Sequence, residues 1–238
     1  MALSVVQLNQ IRMMLGNLSL RSRRDLRAAL RGVDRTNPRA MQAVLSPIWG
    51  DIIGTYGGAS EALGRVMFQI MADDIKITPA MVMAEEMDTS KLAAAHKRMR
   101  WAVYQPKAEG LLENILDEIV KQPARDVIRR SSLASGVGWA RVPQGKETCA
   151  FCLMLASRGG VYSNRKQAGD RFAGNEFHGM CDCAIVPVRN AGDYPEGYDP
   201  NTMYDNYLEA RKAAKEAYGE ANERTTLSKL RELNNLSR

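Results

Sequence analysis

The four cysteines of this chain fall in two short stretches, CAFC at 149–152 and FHGMCDC at 177–183, and the second also holds one of the two histidines. Cys149 and Cys152 have the C-x-x-C spacing by which one tight turn presents two sulfurs to a single metal ion. His178, Cys181 and Cys183 add three donors about 25 residues further on, a separation common in zinc ribbons and knuckles. A structural Zn2+ ion takes four thiolate or imidazole ligands in a tetrahedron, so five donors compete for four places. A strand over 181–188 would turn Cys181 and Cys183 to the same face, because side chains alternate along a strand. An all-cysteine set would leave His178 outside. A set of three cysteines and one histidine would take Cys149, Cys152, His178 and either Cys181 or Cys183, and this second set is the one we favour.

Other chemistry competes for the same residues. A pair of disulfides requires maturation in an oxidising compartment. A nucleophilic cysteine needs a base and an electropositive pocket; His178 could serve, but four clustered thiols exceed what a nucleophile requires. Chance clustering of structural cysteines is the third alternative. A catalytic zinc would keep one position open for water beside an acid or base such as Glu147 or Glu176, and five protein donors make an open position unnecessary. Neither a phosphate-binding G-x-x-x-x-G-K-[ST] loop nor a dinucleotide-binding G-x-G-x-x-G turn is present. His96, in AAAHKRMRW, is read as a surface histidine on a basic helix.

The elements that must position these donors are mostly helical. Apolar Val5, Val6, Leu8, Ile11, Met13 and Met14 give a helical stripe, which Gly16 or Gly32 is expected to end. Asn37 with Pro38 reads as a helix start running toward Asp74, with Pro47 and the Gly57–Gly58 pair as kinks or breaks. Thr78–Pro79 reads as another start, and Asp88 to Ser90 as the cap of the helix over 91–104. Leu111, Leu112, Ile115, Leu116, Ile119 and Val120 mark the clearest helix, kinked or ended at Pro123 and resuming over 124–135. From Gly136 the pattern changes: short strands are expected over 137–143, 159–163 and 181–188, with turns between them. Helix returns from about Asn201. The fold class is α+β: a helical N-terminal region over 1–132, a small mixed Cys/His unit over 133–200 and a helical tail over 201–238.

Charge narrows the partners. The chain carries a net charge of +6, and residues 1–39 hold eight arginines against Asp25 and Asp34. Arg21, Arg23, Arg24, Arg27 and Arg31 are therefore candidate nucleic-acid contacts, against the plainer reading of a solvated helix face. Aromatic residues make up only 6% of the chain, which speaks against an aromatic-lined sugar or nucleotide site. No stretch resembles a signal peptide and none reaches the ~18 apolar residues of a membrane span. We expect a soluble protein, made in a cytoplasm, without a membrane partner.

The run WARVPQGKETCAFCLMLASRGGVYSN, a polar loop and then FHGMCDCAIVPV resembles the Mu F-like minor head proteins of tailed phages, in the form common among phages of actinobacteria. The resemblance covers residues 133–200, with the preceding helices similar in architecture only. Many such proteins carry His-Pro and Cys-Arg-Cys where this chain has His178–Gly179 and Cys181–Asp182–Cys183, so Asp182 removes a basic residue between the cysteines. The resemblance implies a non-enzymatic minor capsid protein of few copies in the capsid interior. It would act in head assembly, genome packaging or DNA ejection. The implied partners are the portal protein, major capsid or scaffold proteins, and packaged double-stranded DNA. Two alternatives are a head-maturation protease and a zinc-dependent nucleic-acid-binding or nuclease module. A serine protease needs a serine with a base and an orienting partner, which neither His96 nor His178 convincingly supplies. A metal nuclease needs carboxylate or histidine ligands around an open metal, and the cluster has one histidine.

Overall fold

The computed structural model describes residues 3–144, 148–160, 177, 179, 181 and 183–236. It is an α+β fold in which long helices pack on a two-stranded sheet. The order is α1 (Val5–Ala29), α2 (Pro38–Asp74), α3 (Thr89–Val103), α4 (Ala108–Ala134), β1 (Gly138–Val142), α5 (Ala150–Ala156), β2 (Ala184–Val188), α6 (Pro200–Tyr218) and α7 (Glu223–Leu233). The strands pair antiparallel, with Ala140 opposite Val186 and Val142 opposite Ala184. The cysteines therefore belong to the long connection between two neighbouring strands and to its exit into β2.

Local chemistry sets the helix starts. Ser4 and Gln7 form a reciprocal capping box at α1. The Asn37 side chain accepts from the Arg39 and Ala40 amides, with Pro38 at the first helical position of α2. Asp88 caps α3 through the Lys91 amide, and Asp199 caps α6 ahead of Pro200.

Several expected breaks are absent. Gly16 lies inside α1, and the chain turns only at Gly32, where φ is +78°. Pro47 and Gly57–Gly58 lie within one continuous α2. An interior proline costs about 3 kcal/mol and a glycine about 1. The buried stripe from Met41 through Trp49 and Ile53 to Met71 outweighs both. Pro123 likewise sits inside α4, and the Ala124 amide beside it donates to Ser60 Oγ of α2 at 3.3 Å. Thr78–Pro79 starts no helix: residues 77–88 carry no regular secondary structure, and Ala80 to Val82 lie against the end of α4. Ser131 Oγ accepts from the Val82 amide and donates to its carbonyl, and Ser135 Oγ accepts from the Ala80 amide. Those backbone groups are satisfied by side chains, which removes the need for helix. The expected strand at 159–163 falls largely outside the described residues; Gly159 and Gly160 form a turn against Tyr194.

Three apolar clusters hold the fold. One joins α1 to α4 through Leu26, Leu45, Trp49, Met99, Leu112 and Leu116. A second joins Leu8, Ile11, Phe68 and Ile128 of the long helices to both strands and to Cys152, Cys181 and Cys183. The third sets Ala150, Met154 and Leu155 of α5 against Ala210, Leu227 and Leu230 of α6 and α7. Short α5 thus faces two clusters at once and fixes where its cysteines point.

α2 and α4 approach closely at Gly64, where a Cβ would lie 2.6 Å from Ala124 Cα. At Gly54 of the same helix a Cβ would meet nothing within 4 Å. The two glycines should therefore respond with opposite sign. Gly54→Ala is expected to stabilise by up to about 1 kcal/mol through helix propensity. Gly64→Ala is expected to destabilise by about 1–3 kcal/mol by forcing the backbones apart. Urea denaturation of both variants checks the pair, and equal responses would contradict the packing described.

Candidate metal centre

The turn that carries C-x-x-C is the start of a helix. Cys149 is the N-cap of α5, its Sγ accepting from the Cys152 amide at 3.3 Å. Cys152 then points from the first turn into the second apolar cluster. Cys181 and Cys183 come from the segment entering β2, whose strand starts at Ala184 and not at Cys181 as expected. The Sγ atoms of Cys152, Cys181 and Cys183 all lie within 4.8 Å of one another. Those of Cys152 and Cys181 are 3.5 Å apart. All three residues are buried and all four cysteines are free thiols. Cys149 is half-buried at the edge of the cluster, where its thiol hydrogen-bonds to that of Cys152. His178 lies outside the described residues.

These spacings fit a shared ion. Sulfurs bound tetrahedrally at ~2.3 Å sit roughly 3.8 Å apart, whereas a disulfide requires ~2.05 Å. Three thiols at this separation could hold a metal ion. The protons show the same crowding. Cys181 is held well below the usual thiol range, by hydrogen bonds with Cys152 and Cys183 and by the nearby Arg125 and Arg141 guanidiniums. Cys152 is pushed up, first by its hydrogen bond with Cys149 and then by those with Cys181 and Cys183. Cys183 is also pushed up: a bond with Cys152 lowers it, but the bond with Cys181, burial and the Cys181 charge outweigh that. Metal binding to such a cluster requires thiolates, so a bound dication would displace thiol protons.

The surroundings are cationic, which composition and spacing did not reveal. Arg141 on β1 is 0% exposed and Arg125 on α4 is 2% exposed. Each guanidinium carbon stands 3.8 Å from the centre of the Phe177 ring. Arg125 Nη2 donates to the Cys181 carbonyl at 3.0 Å and approaches that of Cys183 at 3.4 Å. Lys121 Nζ reaches the Cys181 carbonyl at 3.4 Å and pairs with Asp117 at 2.8 Å. Asp117, 1% exposed, also accepts from Ser19 Oγ of α1. Helix α4 thereby grips the cysteine segment through backbone carbonyls, and Gly179 closes the contact: a Cβ there would stand 2.5 Å from the Asn114 carbonyl oxygen. The only sequence signal was a set of charged residues inside apolar stripes, Asp117, Lys121 and Arg125 at four-residue steps on α4 and Arg141 on β1.

The candidate nucleic-acid arginines separate into two groups. Arg27 pairs with Glu113 at 2.6 Å, and Arg23 approaches the same carboxylate at 3.9 Å. Arg21, Arg24 and Arg31 are exposed and form no ion pair among the described residues. His96 is half-buried on α3 against Gly50. A cavity of about 830 Å³ borders Phe177, with Arg98, Glu118, Asp126 and Arg129 in its wall. Burial raises the Asp126 carboxyl against the pull of Arg129. No described helix is long and apolar enough to cross a membrane.

Residues 3–210 match the family model described as VG15 protein. Over 125 residues the chain is 28% identical to the Gene 15 protein of Mycobacterium phage D29, a match covering 42% of each chain. Over 140 residues it is 29% identical to the Gene 15 protein of Mycobacterium phage L5, covering 45% of this chain and 42% of that protein. The matched stretch thus spans less than half the length of either relative. No solved structure matches the chain. With most of its length matched by one family model and its relatives encoded by phages, the chain belongs to the VG15 family of phage proteins.

Proposed function

We propose that this chain is a minor capsid protein of a tailed phage, lying inside the head against the portal and acting in head assembly, genome packaging or DNA ejection. Its family membership supports a phage virion or assembly role, and the likeness of residues 133–200 to Mu F-like proteins supports the head. The cysteine cluster is a structural zinc clamp, not a catalytic centre. The observation that carries this is burial: the three converging cysteines are 1–2% exposed, and a catalytic zinc keeps a position open to water. Cys152, Cys181 and Cys183 hold the ion, with Cys149 or His178 as the fourth ligand. When bound, zinc supplies a cross-link between α5 and the segment entering β2. The chain's own residues orient that segment through Arg125 and Lys121. Quantitative mass spectrometry of purified virions tests the capsid role: the chain should be present at few copies per particle, and its absence from mature particles and assembling heads would contradict the proposal.

A further inference from the structure

Helix α3 carries a face that no other described element covers. Lys97, Arg100, Trp101 and Tyr104 fall within roughly 100° of arc around the helix. All four are exposed, Trp101 at 55% and Tyr104 at 54%. The buried side of the same helix is apolar: Ala95, Met99, Ala102 and Val103. Lys107 follows, also exposed, and lines with Tyr104 a hollow of about 510 Å³. Lys97, Arg100 and Lys107 form no ion pair among the described residues, whereas neighbouring Arg98 binds Glu118 with both guanidinium nitrogens, at 2.8 and 2.7 Å. The face thus combines cations that no carboxylate answers with two large rings standing half in water.

We propose that this face binds nucleic acid, its cations meeting phosphates and its two rings meeting bases or sugars. An acidic protein surface would answer the charges. The arrangement favours a nucleic acid, because Lys97 and Lys107 bracket the rings in sequence and the strand it meets likewise alternates phosphate with ring. A second copy of this chain is disfavoured by its net charge of +6. The inference rests on the head-protein reading, which sets the chain beside DNA. Its test uses purified protein, so its outcome is separate from whether virions contain the chain.

Trp101 reports on this face by itself, since the other two tryptophans, Trp49 and Trp139, are 0% and 2% exposed. Titrating the full chain with a DNA single strand of about 20 nucleotides, and with the matching duplex, should quench its fluorescence and release it again in salt. Quenching by the single strand assigns stacking, and quenching by the duplex assigns backbone and groove contact; either supports the proposal. K97E/R100E/K107E should weaken binding at least about tenfold, and the milder K97Q/R100Q/K107Q several-fold, with unchanged helical circular dichroism. R21Q/R24Q/R31Q on α1, matched in charge to the α3 glutamine variant, should weaken it less than that variant does, and an equal or larger loss would count against the α3 face. No salt-sensitive quench with either DNA, wild-type affinity in the α3 variants, or equal affinity for poly-glutamate or phosphatidylserine vesicles would overturn it.

Discussion

If the cysteine cluster holds zinc as proposed, Cys181→Ser is expected to release the ion and loosen the junction of α4, α5 and β2. Three sulfurs converge there, and Cys181 is the one whose anion the surroundings already favour. Structural zinc sites contribute about 10–16 kcal/mol of apparent binding free energy in small peptides. In a chain with two further apolar clusters, the loss is limited by what the junction alone contributes. A loss of about 4 kcal/mol would lower Tm by roughly 8–16 °C in a chain of this size. Packing of the cysteine itself is separated from metal binding by a chelator. EDTA should lower the wild-type Tm by a similar amount and leave Cys181→Ser unmoved. If the chelator moves both equally, or neither, Cys181 is not a ligand. The same comparison on Cys149→Ser and His178→Ala identifies the fourth ligand, as the variant that loses chelator sensitivity.

Asp117→Ala is expected to cost about 3–5 kcal/mol, the range for breaking a buried ion pair from one side. The carboxylate is 1% exposed and receives the Lys121 ammonium at 2.8 Å as well as the Ser19 hydroxyl. Among the described residues, its removal leaves a mostly covered cation with only the Cys181 carbonyl at 3.4 Å. Two helices and the cysteine segment are tied by these groups, so zinc retention should weaken as well. Asp117→Ala/Lys121→Met removes the stranded charge and should recover more than half of the loss. Urea melts of the two variants and the wild type read this directly. A double variant no more stable than Asp117→Ala would show that the charge pair is not what Asp117 supplies.

The parts of the fold written in local pattern were legible in the sequence. The caps at Asn37 and Asp88, the stripe from Leu112 to Val120 and the C-x-x-C spacing each follow from neighbours a few residues away. What failed was decided by distant partners. Pro47 and Gly57–Gly58 read as breaks because nothing local shows α4 packed along α2. Thr78–Pro79 read as a helix start because nothing local shows that Ser131 and Ser135 take up the Val82 and Ala80 amides. The site followed the same rule. The cysteines stood out by type and spacing. Arg125 and Arg141 did not, since stacking on Phe177 from two different elements is a tertiary fact. Arg23 and Arg27 looked equivalent to Arg21 and Arg24 until Glu113 of α4 was placed beside them.

Metal content of the purified 238-residue chain tests the central claim most directly. Elemental analysis beside a protein assay, followed by a melt with and without chelator, should find about one zinc ion per chain bound by sulfur-rich ligands. Removal of that ion should lower Tm. A folded chain with no bound metal, and a melt that chelator does not move, would contradict the zinc clamp.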